Sequence, residues 1–306
     1  MNQFVYGPVP SRRLGLSLGI SPIPKKTCNY SCVYCQLGRT HPMTNTRSLF
    51  YPDEDILSEF DQILAQRVAF DVVTIVGEGE PTLYSGLGSL IKGIQTRTEK
   101  PVAVITNGAL LGDLEVQSEL MAADIVLPSL DACDESMWHK INRPYRSLEF
   151  ARVNQGLIDF SHAYQGQLWI ELMLIAGIND DEASLQQFKD MLSRLNYDRL
   201  YINTPVRPPA ETWVSAVSPE TMTRAVTLLG GISIDLLAST GFHSEITDDY
   251  EAIKSIIKRH PMNQHEIEGF LRTRGQMQPG DLLEKLRQSP EIEVLEYKGY
   301  VTFRLK

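Results

Sequence analysis

Between residues 16 and 206, apolar runs of strand length alternate with amphipathic stretches of helical period, and that alternation leaves few folds open. The strand candidates are 16–21, 71–77, 102–107, 124–131, 168–175 and 199–206. Most are nearly continuous apolar runs, as expected of parallel strands covered on both faces. Helical stretches fall between them near 54–66, 85–97, 114–121, 147–162 and 181–195. In the last of these, Leu185, Phe188, Leu192 and Leu195 share one face. Such a pattern implies an α/β fold with a parallel sheet, either a partial barrel or a doubly wound sheet. Polar residues cluster at 77–82, 106–108, 129–131, 179–180 and 203–207, each at the end of a strand candidate. Sites in barrels are built at the carboxyl ends of strands, so these clusters favour the barrel.

Beyond residue 209 the pattern changes. A helix near 219–229 and an apolar stretch at 232–237 close the main region, expected to span 1–245. The remainder, 246–306, reads as helices at 250–259, 264–273 and 280–288, then a hairpin over 291–304 turning at Lys298-Gly299. Three short helices and a hairpin make a winged-helix-like arrangement. One large and one small domain suit a chain of 306 residues. No apolar run approaches the ~18 residues of a membrane span. Pro8, Pro10, Pro22 and Pro24 break up the N-terminal segment, which lacks the apolar core of a secretion signal. A cytoplasmic protein without membrane association is expected.

Four cysteines are too few for a disulfide scaffold, and their spacing is lopsided. Cys28, Cys32 and Cys35 form C-x3-C-x2-C, while Cys133 stands apart. This is the pattern of a metal or cluster site in a reducing compartment. Three thiolates on so short a loop can wrap one cubane cluster and leave a fourth iron open. Structural zinc is the other reading, with His41 or Cys133 as the fourth ligand. Charge is just as uneven. The net value is −9, yet residues 1–50 hold Arg12, Arg13, Lys25, Lys26, Arg39 and Arg47 and no acid. A basic lip around the cysteine loop follows, with the acid concentrated in the middle of the chain.

Together with the cysteine loop, several segments carry a resemblance. They are VPSRRLGLSLGI at 9–20, GEGEPT at 77–82, ITNG at 105–108, LPSLD at 127–131, WIELMLIAGIN at 169–179 and NTPVRPPAE at 203–211. The chain resembles radical S-adenosylmethionine (SAM) enzymes, and more narrowly the Fe–S oxidoreductases related to tRNA wyosine-base synthetases. The resemblance implies a partial (β/α)6 radical SAM barrel. It implies a [4Fe–4S] cluster on Cys28, Cys32 and Cys35, with SAM chelating the fourth iron, and Tyr34 packing near the adenine. The turn of Gly77, Glu78, Gly79, Glu80, Pro81 and Thr82 would meet the methionyl ammonium, with Glu80 and backbone carbonyls as acceptors. Asn107, Ser129 and Asp131 would bond the ribose hydroxyls or the SAM carboxylate, and Met173 and Ile175 would line the adenine. Arg143 and Arg207 are candidates for carboxylate or phosphate recognition.

In such enzymes an electron from the cluster cleaves SAM, and the 5′-deoxyadenosyl radical takes a hydrogen from substrate. An electron donor such as flavodoxin or ferredoxin is implied as a partner. Wyosine-forming and methylthio-transferring enzymes carry a second cluster. Here a single cysteine, Cys133, remains; it is placed near the open end of the barrel as a possible hydrogen donor or covalent anchor. The leading expectation is modification of an RNA base, in tRNA. Arg12 and Arg13 would lie at the barrel mouth, with Arg272, Arg274, Lys285 and Arg287 as a second contact. A protein or peptide, or a small molecule, is the alternative substrate. A zinc-stabilised binding module without catalysis is the alternative of another class.

Overall fold

A computed structural model of the protein describes residues 4–234, 242, 244, 246–276, 279–297 and 299–306. Eight strands form one open sheet in sequence order, from β1 (Val5–Ser11) to β8 (Ile232–Ser233). Strands β2 (Gly15–Ile20), β3 (Val72–Ile75), β4 (Val102–Thr106), β5 (Ile125–Pro128), β6 (Gln167–Met173) and β7 (Arg199–Asn203) are all parallel. These are the six expected strands, and they form the partial (β/α)6 barrel. Helices α1 (Asp53–Ala65), α2 (Leu87–Gln95), α3 (Leu114–Leu120), α4 (Glu135–Ile141), α5 (Phe150–Ala163), α6 (Glu182–Leu192) and α7 (Pro219–Leu229) connect them.

β1 pairs antiparallel with β2 and was not expected as a strand. Gly7, Pro8 and Pro10 interrupt its pattern, and the register shifts between Tyr6 and Val9. Proline is tolerated there because β1 is an edge strand. α4 was missed as well, since only Trp138 and Ile141 of its seven residues are buried. Of the expected 232–237 stretch, 235–237 lie outside the described residues.

The main core lies between the outer faces of the strands and the helices, with Phe60, Leu90, Phe160 and Phe188 fully buried. A smaller layer of Leu14, Val72, Ala103, Ile125, Trp169 and Tyr201 fills the barrel interior from the early parts of the strands. Above it the interior stays open toward the strands' carboxyl ends.

The C-terminal elements are α8 (Asp249–Ile257), β9 (Met262–Asn263), α9 (Gln264–Thr273), α10 (Gly280–Gln288), β10 (Ile292–Tyr297) and β11 (Tyr300–Leu305). The three expected helices and the hairpin are present, though Lys298 of its turn lies outside the described residues. β9, too short to leave a pattern, joins β11 to complete an antiparallel sheet. Ile253, Ile257, Phe270, Leu271, Leu286 and Phe303 form a separate core. α8 packs on β1, at the side where the barrel does not close.

Candidate active site

β2 delivers the chain to the carboxyl end of the barrel, where the cysteine loop begins. Backbone bonds lace that loop to the segment after α4: Ser31 N to Asn142 O at 2.9 Å, Val33 N to Ile141 O at 2.9 Å, and Tyr145 N to Asn29 O at 2.8 Å. The segment after β7 joins them, with Glu211 N on Val33 O at 3.1 Å. Glu211 accepts from Arg39 through both oxygens, at 2.9 and 3.0 Å, and from Arg143 at 2.5 Å. Arg143 therefore clamps the loop through Glu211.

All three thiols line a single cavity of about 460 Å³. Burial pushes each of them up, aided by Glu80 at Cys28 and by Asp131 at Cys32. Unligated, they stay protonated; a bound metal would deprotonate them outright. Among the described residues, no three His, Cys, Asp or Glu side chains converge on a point fit for a single ion. Neither His41 nor Cys133 lines the cavity that the three thiols share, so neither stands with them as a fourth zinc ligand. Three sulfurs facing one cavity suit a cubane, one ligand to each of three irons.

The turn after β3 backs onto this loop. Glu80 N donates to Thr27 O at 3.0 Å, and a Cβ on Gly79 would lie 1.7 Å from the same oxygen, so only glycine fits. Pro81 starts a single helical turn, 81–83. The Glu80 carboxylate, 1% exposed, accepts from Thr82 N (3.0 Å), Thr82 Oγ1 (2.6 Å), Thr106 Oγ1 (2.6 Å) and Asn107 N (2.7 Å). It braces the turn against β4. Glu78 is buried at the cavity wall, and its Oε2 lies 3.3 Å from Lys258 Nζ and 3.4 Å from Arg259 Nε. Gly77 and Gly79 line the cavity beside it, whereas Glu80, Pro81 and Thr82 do not.

Asp131 holds several elements together: it accepts from Tyr34 OH at 2.5 Å, Asn142 Nδ2 at 2.8 Å and Met173 N at 3.1 Å. Burial raises its carboxyl while these bonds pull it down. Asn107, Ser129 and Asp131 line a smaller cavity of about 20 Å³, room for roughly one water. Tyr34 and Met173 line the main cavity. Ile175 does not; it packs in a small cluster with Val33, Ile141 and Val214. Cys133, on the loop after β5, lines neither cavity and sits 3.6 Å from Met137 Sδ.

Arg12, Arg13 and Arg207 do line the main cavity. Arg13, however, is turned into the barrel and paired with Glu171 of β6, which also accepts from Asn203 Nδ2 at 3.1 Å. It is not a surface cation. Arg207 bonds Glu266 at 3.1 and 3.2 Å and His260 Nε2 at 2.6 Å. Sequence reasoning missed Glu171, Glu211, Asn142, and the cavity residues Arg259, His260 and Glu266 supplied by the C-terminal part. Glu171 alone left a signal, as the one acid in the apolar run WIELMLI.

Residues 23–188 match the family model of the radical SAM superfamily. The chain belongs to this superfamily. It is 34% identical to the UPF0026 protein MJ1312 of Methanocaldococcus jannaschii over 97% of this chain and 94% of that one. Its fold is similar to that of TYW1 with a lysine-pyruvate adduct bound (TM-score 0.53, 19% identity, 71% of this chain and 74% of that one). It is also similar to Streptococcus suis SuiB bound to S-adenosylmethionine (TM-score 0.52, 17% identity, 69% and 48%). The chain is thus a radical SAM enzyme, and its cofactors are a [4Fe–4S] cluster and SAM. Among the described residues, no helix is long and apolar enough to cross a membrane.

Proposed function

We propose that Cys28, Cys32 and Cys35 hold the cluster and that the enzyme modifies an RNA base, in tRNA, drawn into the cavity between the barrel and the C-terminal elements. When bound, the cluster and SAM supply a 5′-deoxyadenosyl radical at the cysteine end of the cavity. Gly77, Glu78 and Gly79 form the wall for the methionyl end of SAM, and Tyr34 and Met173 the wall for its adenosyl end. The barrel interior below, closed by Leu14, Trp169 and Tyr201, keeps bulk water from the radical. A cavity of about 460 Å³ has room for one extruded base rather than a helix, which suits an enzyme that unstacks its target.

The observation that carries the RNA reading is a pair of cations. Among the described residues, Arg12 and Lys26 face the cavity with no carboxylate paired to either. Arg13, Arg39 and Arg47 are neutralised by Glu171, Glu211 and Glu115 with Glu119. Arg274 is likewise consumed, by Asp249 and nearby carbonyls. Arg272, exposed on α9, already stands 3.9 Å from Glu268, so the C-terminal part adds little free positive charge.

Retention of bulk tRNA should fall steeply between about 50 and 200 mM salt, as counterion release requires. Arg12→Glu should weaken it and flatten the salt slope by about one, with SAM affinity unchanged. Salt-independent binding, or no retention at low salt, defeats the RNA reading and favours a peptide substrate.

A further inference from the structure

Each of two cysteine sulfurs in the cluster loop faces the side-chain amide of an asparagine. Asn142 Nδ2 is 3.5 Å from Cys32 Sγ, and Asn107 Nδ2 is 3.6 Å from Cys28 Sγ. We propose that Asn107 and Asn142 are positioning residues that raise the reduction potential of the cluster by donating hydrogen bonds to its ligand sulfurs. The inference rests on the reading that Cys28, Cys32 and Cys35 ligate the cluster.

The orientation of each amide is settled by its other partners. Asn142, 2% exposed, gives one proton to Asp131 Oδ2 at 2.8 Å, leaving the second for sulfur. Flipped, its oxygen would face a carboxylate and a thiolate, two acceptors with no proton between them. Asn107 gives one proton to Asn29 Oδ1 at 2.7 Å, while its own oxygen accepts from Ala109 N at 2.9 Å. A flip there would break both bonds. In both residues the N–H is therefore held on sulfur by neighbours that do not depend on the cluster.

A cluster that gains an electron places part of the added charge on its sulfurs. Fixed N–H dipoles aimed at those sulfurs favour the reduced form, one of the protein's main levers on potential. Within a buried site such dipoles count for more than in water. Cys28 receives a further N–H from Tyr30 at 3.4 Å. Among the described residues no side-chain amide is on Cys35; the charges of Arg304 and Lys26, beside Gly38, act on it instead. Each of the three sulfurs thus has a partner that favours added negative charge.

The test uses the reconstituted full-length protein. Iron and sulfide analysis comes first, and about four of each per chain establishes the cluster. A redox titration followed by electron paramagnetic resonance, with titanium(III) citrate giving one electron per cluster, then reads the potential. Asn142→Leu keeps the approximate volume and removes the donor. It should make reduction about tenfold less favourable, a shift of ~59 mV to more negative potential. Asn107→Leu should act in the same direction, and the two shifts should add. An unchanged potential at full iron content overturns the inference and leaves the cysteine assignment standing. Absence of iron from the wild-type protein removes the assignment itself. Should the leucine variants fail to load, wild-type protein labelled with nitrogen-15 in its asparagine side chains decides. Hyperfine coupling of that nitrogen to the reduced cluster supports the inference, and its absence overturns it.

Discussion

A carboxylate that already accepts four hydrogen bonds has little capacity left for a ligand. Glu80 is in that position, and the resemblance that cast it as the acceptor for the SAM ammonium could not reveal it. Its partners Thr106 and Asn107 lie over twenty residues away and meet it only because β3 and β4 are adjacent. Arg13 and Arg143 teach the same lesson. Both were legible as cations near the cysteine loop, but their partners, Glu171 and Glu211, come from β6 and from the loop after β7. Spacing identifies residues that act as a local set, as the cysteines do; it does not identify pairs closed by the fold. Glu80→Ala should therefore act first on stability. It strands four buried donors, each costing about 1–3 kcal/mol when unsatisfied. Even with relaxation, a loss of at least ~2 kcal/mol is expected in urea melts of the apoprotein. Glu80→Gln should keep part of this, since one oxygen still accepts. An unchanged midpoint in Glu80→Ala would show that the turn does not depend on its carboxylate.

Elements were legible where burial on two faces wrote a long apolar run, and illegible where the structure is short or lies at an edge. The six barrel strands belong to the first kind. β1, α4 and β9 belong to the second, and together they supply or support much of the site: β1 leads into Arg12 and Arg13, α4 leads to Asn142, and β9 follows His260. His260 is also the element-scale pH sensor. It lies between α8 and β9, with Arg207 Nη2 on its Nε2 at 2.6 Å and the Phe242 ring 5.1 Å away. Burial lowers its pKa well below the usual 6.5, and the charges of Arg207 and Arg12 lower it further. The unfolded chain thus binds a proton near pH 6.5 that the folded chain refuses. The contribution of neutral His260 is full above that pH and declines as pH falls below it. Hydrogen exchange of α8 and α9 should accelerate from pH 7 to pH 5 beyond the intrinsic trend, and His260→Gln should remove the excess. Equal pH dependence in wild type and variant would exclude His260 as the cause.

At the scale of the whole molecule, two hydrophobic cores meet through a polar seam. Among the described residues the barrel core and that of the C-terminal elements are separate clusters, and the bridges between them include Arg207 to Glu266 and His260, Tyr297 OH to Pro205 O at 2.8 Å, Arg304 to Gln36 O at 3.3 Å, Gln36 to Arg259 O at 3.5 Å, and Lys258 with Arg259 to Glu78. Several of these contacts border the cavity, so the C-terminal elements help to wall the space where substrate would sit. Polar seams separate more readily than apolar ones, because water replaces the lost partners. Arg207 is the most connected bridge: both guanidinium arms reach Glu266, and the same group bonds Pro261 O and His260. Glu266 meanwhile closes the capping box of α9 through Asn263 N at 2.8 Å. Removing Arg207 therefore loosens the seam without unfolding α9, which keeps its cap. Arg207→Met preserves the apolar stem and deletes a charge-assisted pair worth about 1.5–3 kcal/mol. Opening of the C-terminal elements should become about ten- to a hundredfold more frequent, since each 1.4 kcal/mol is tenfold. Hydrogen exchange should rise across 249–273 while the amides of β3 to β6 and the iron content stay at wild-type values. That outcome would also place a domain boundary close to residue 245. A uniform rise over barrel and C-terminal elements alike would mean instead that the chain opens as one cooperative unit.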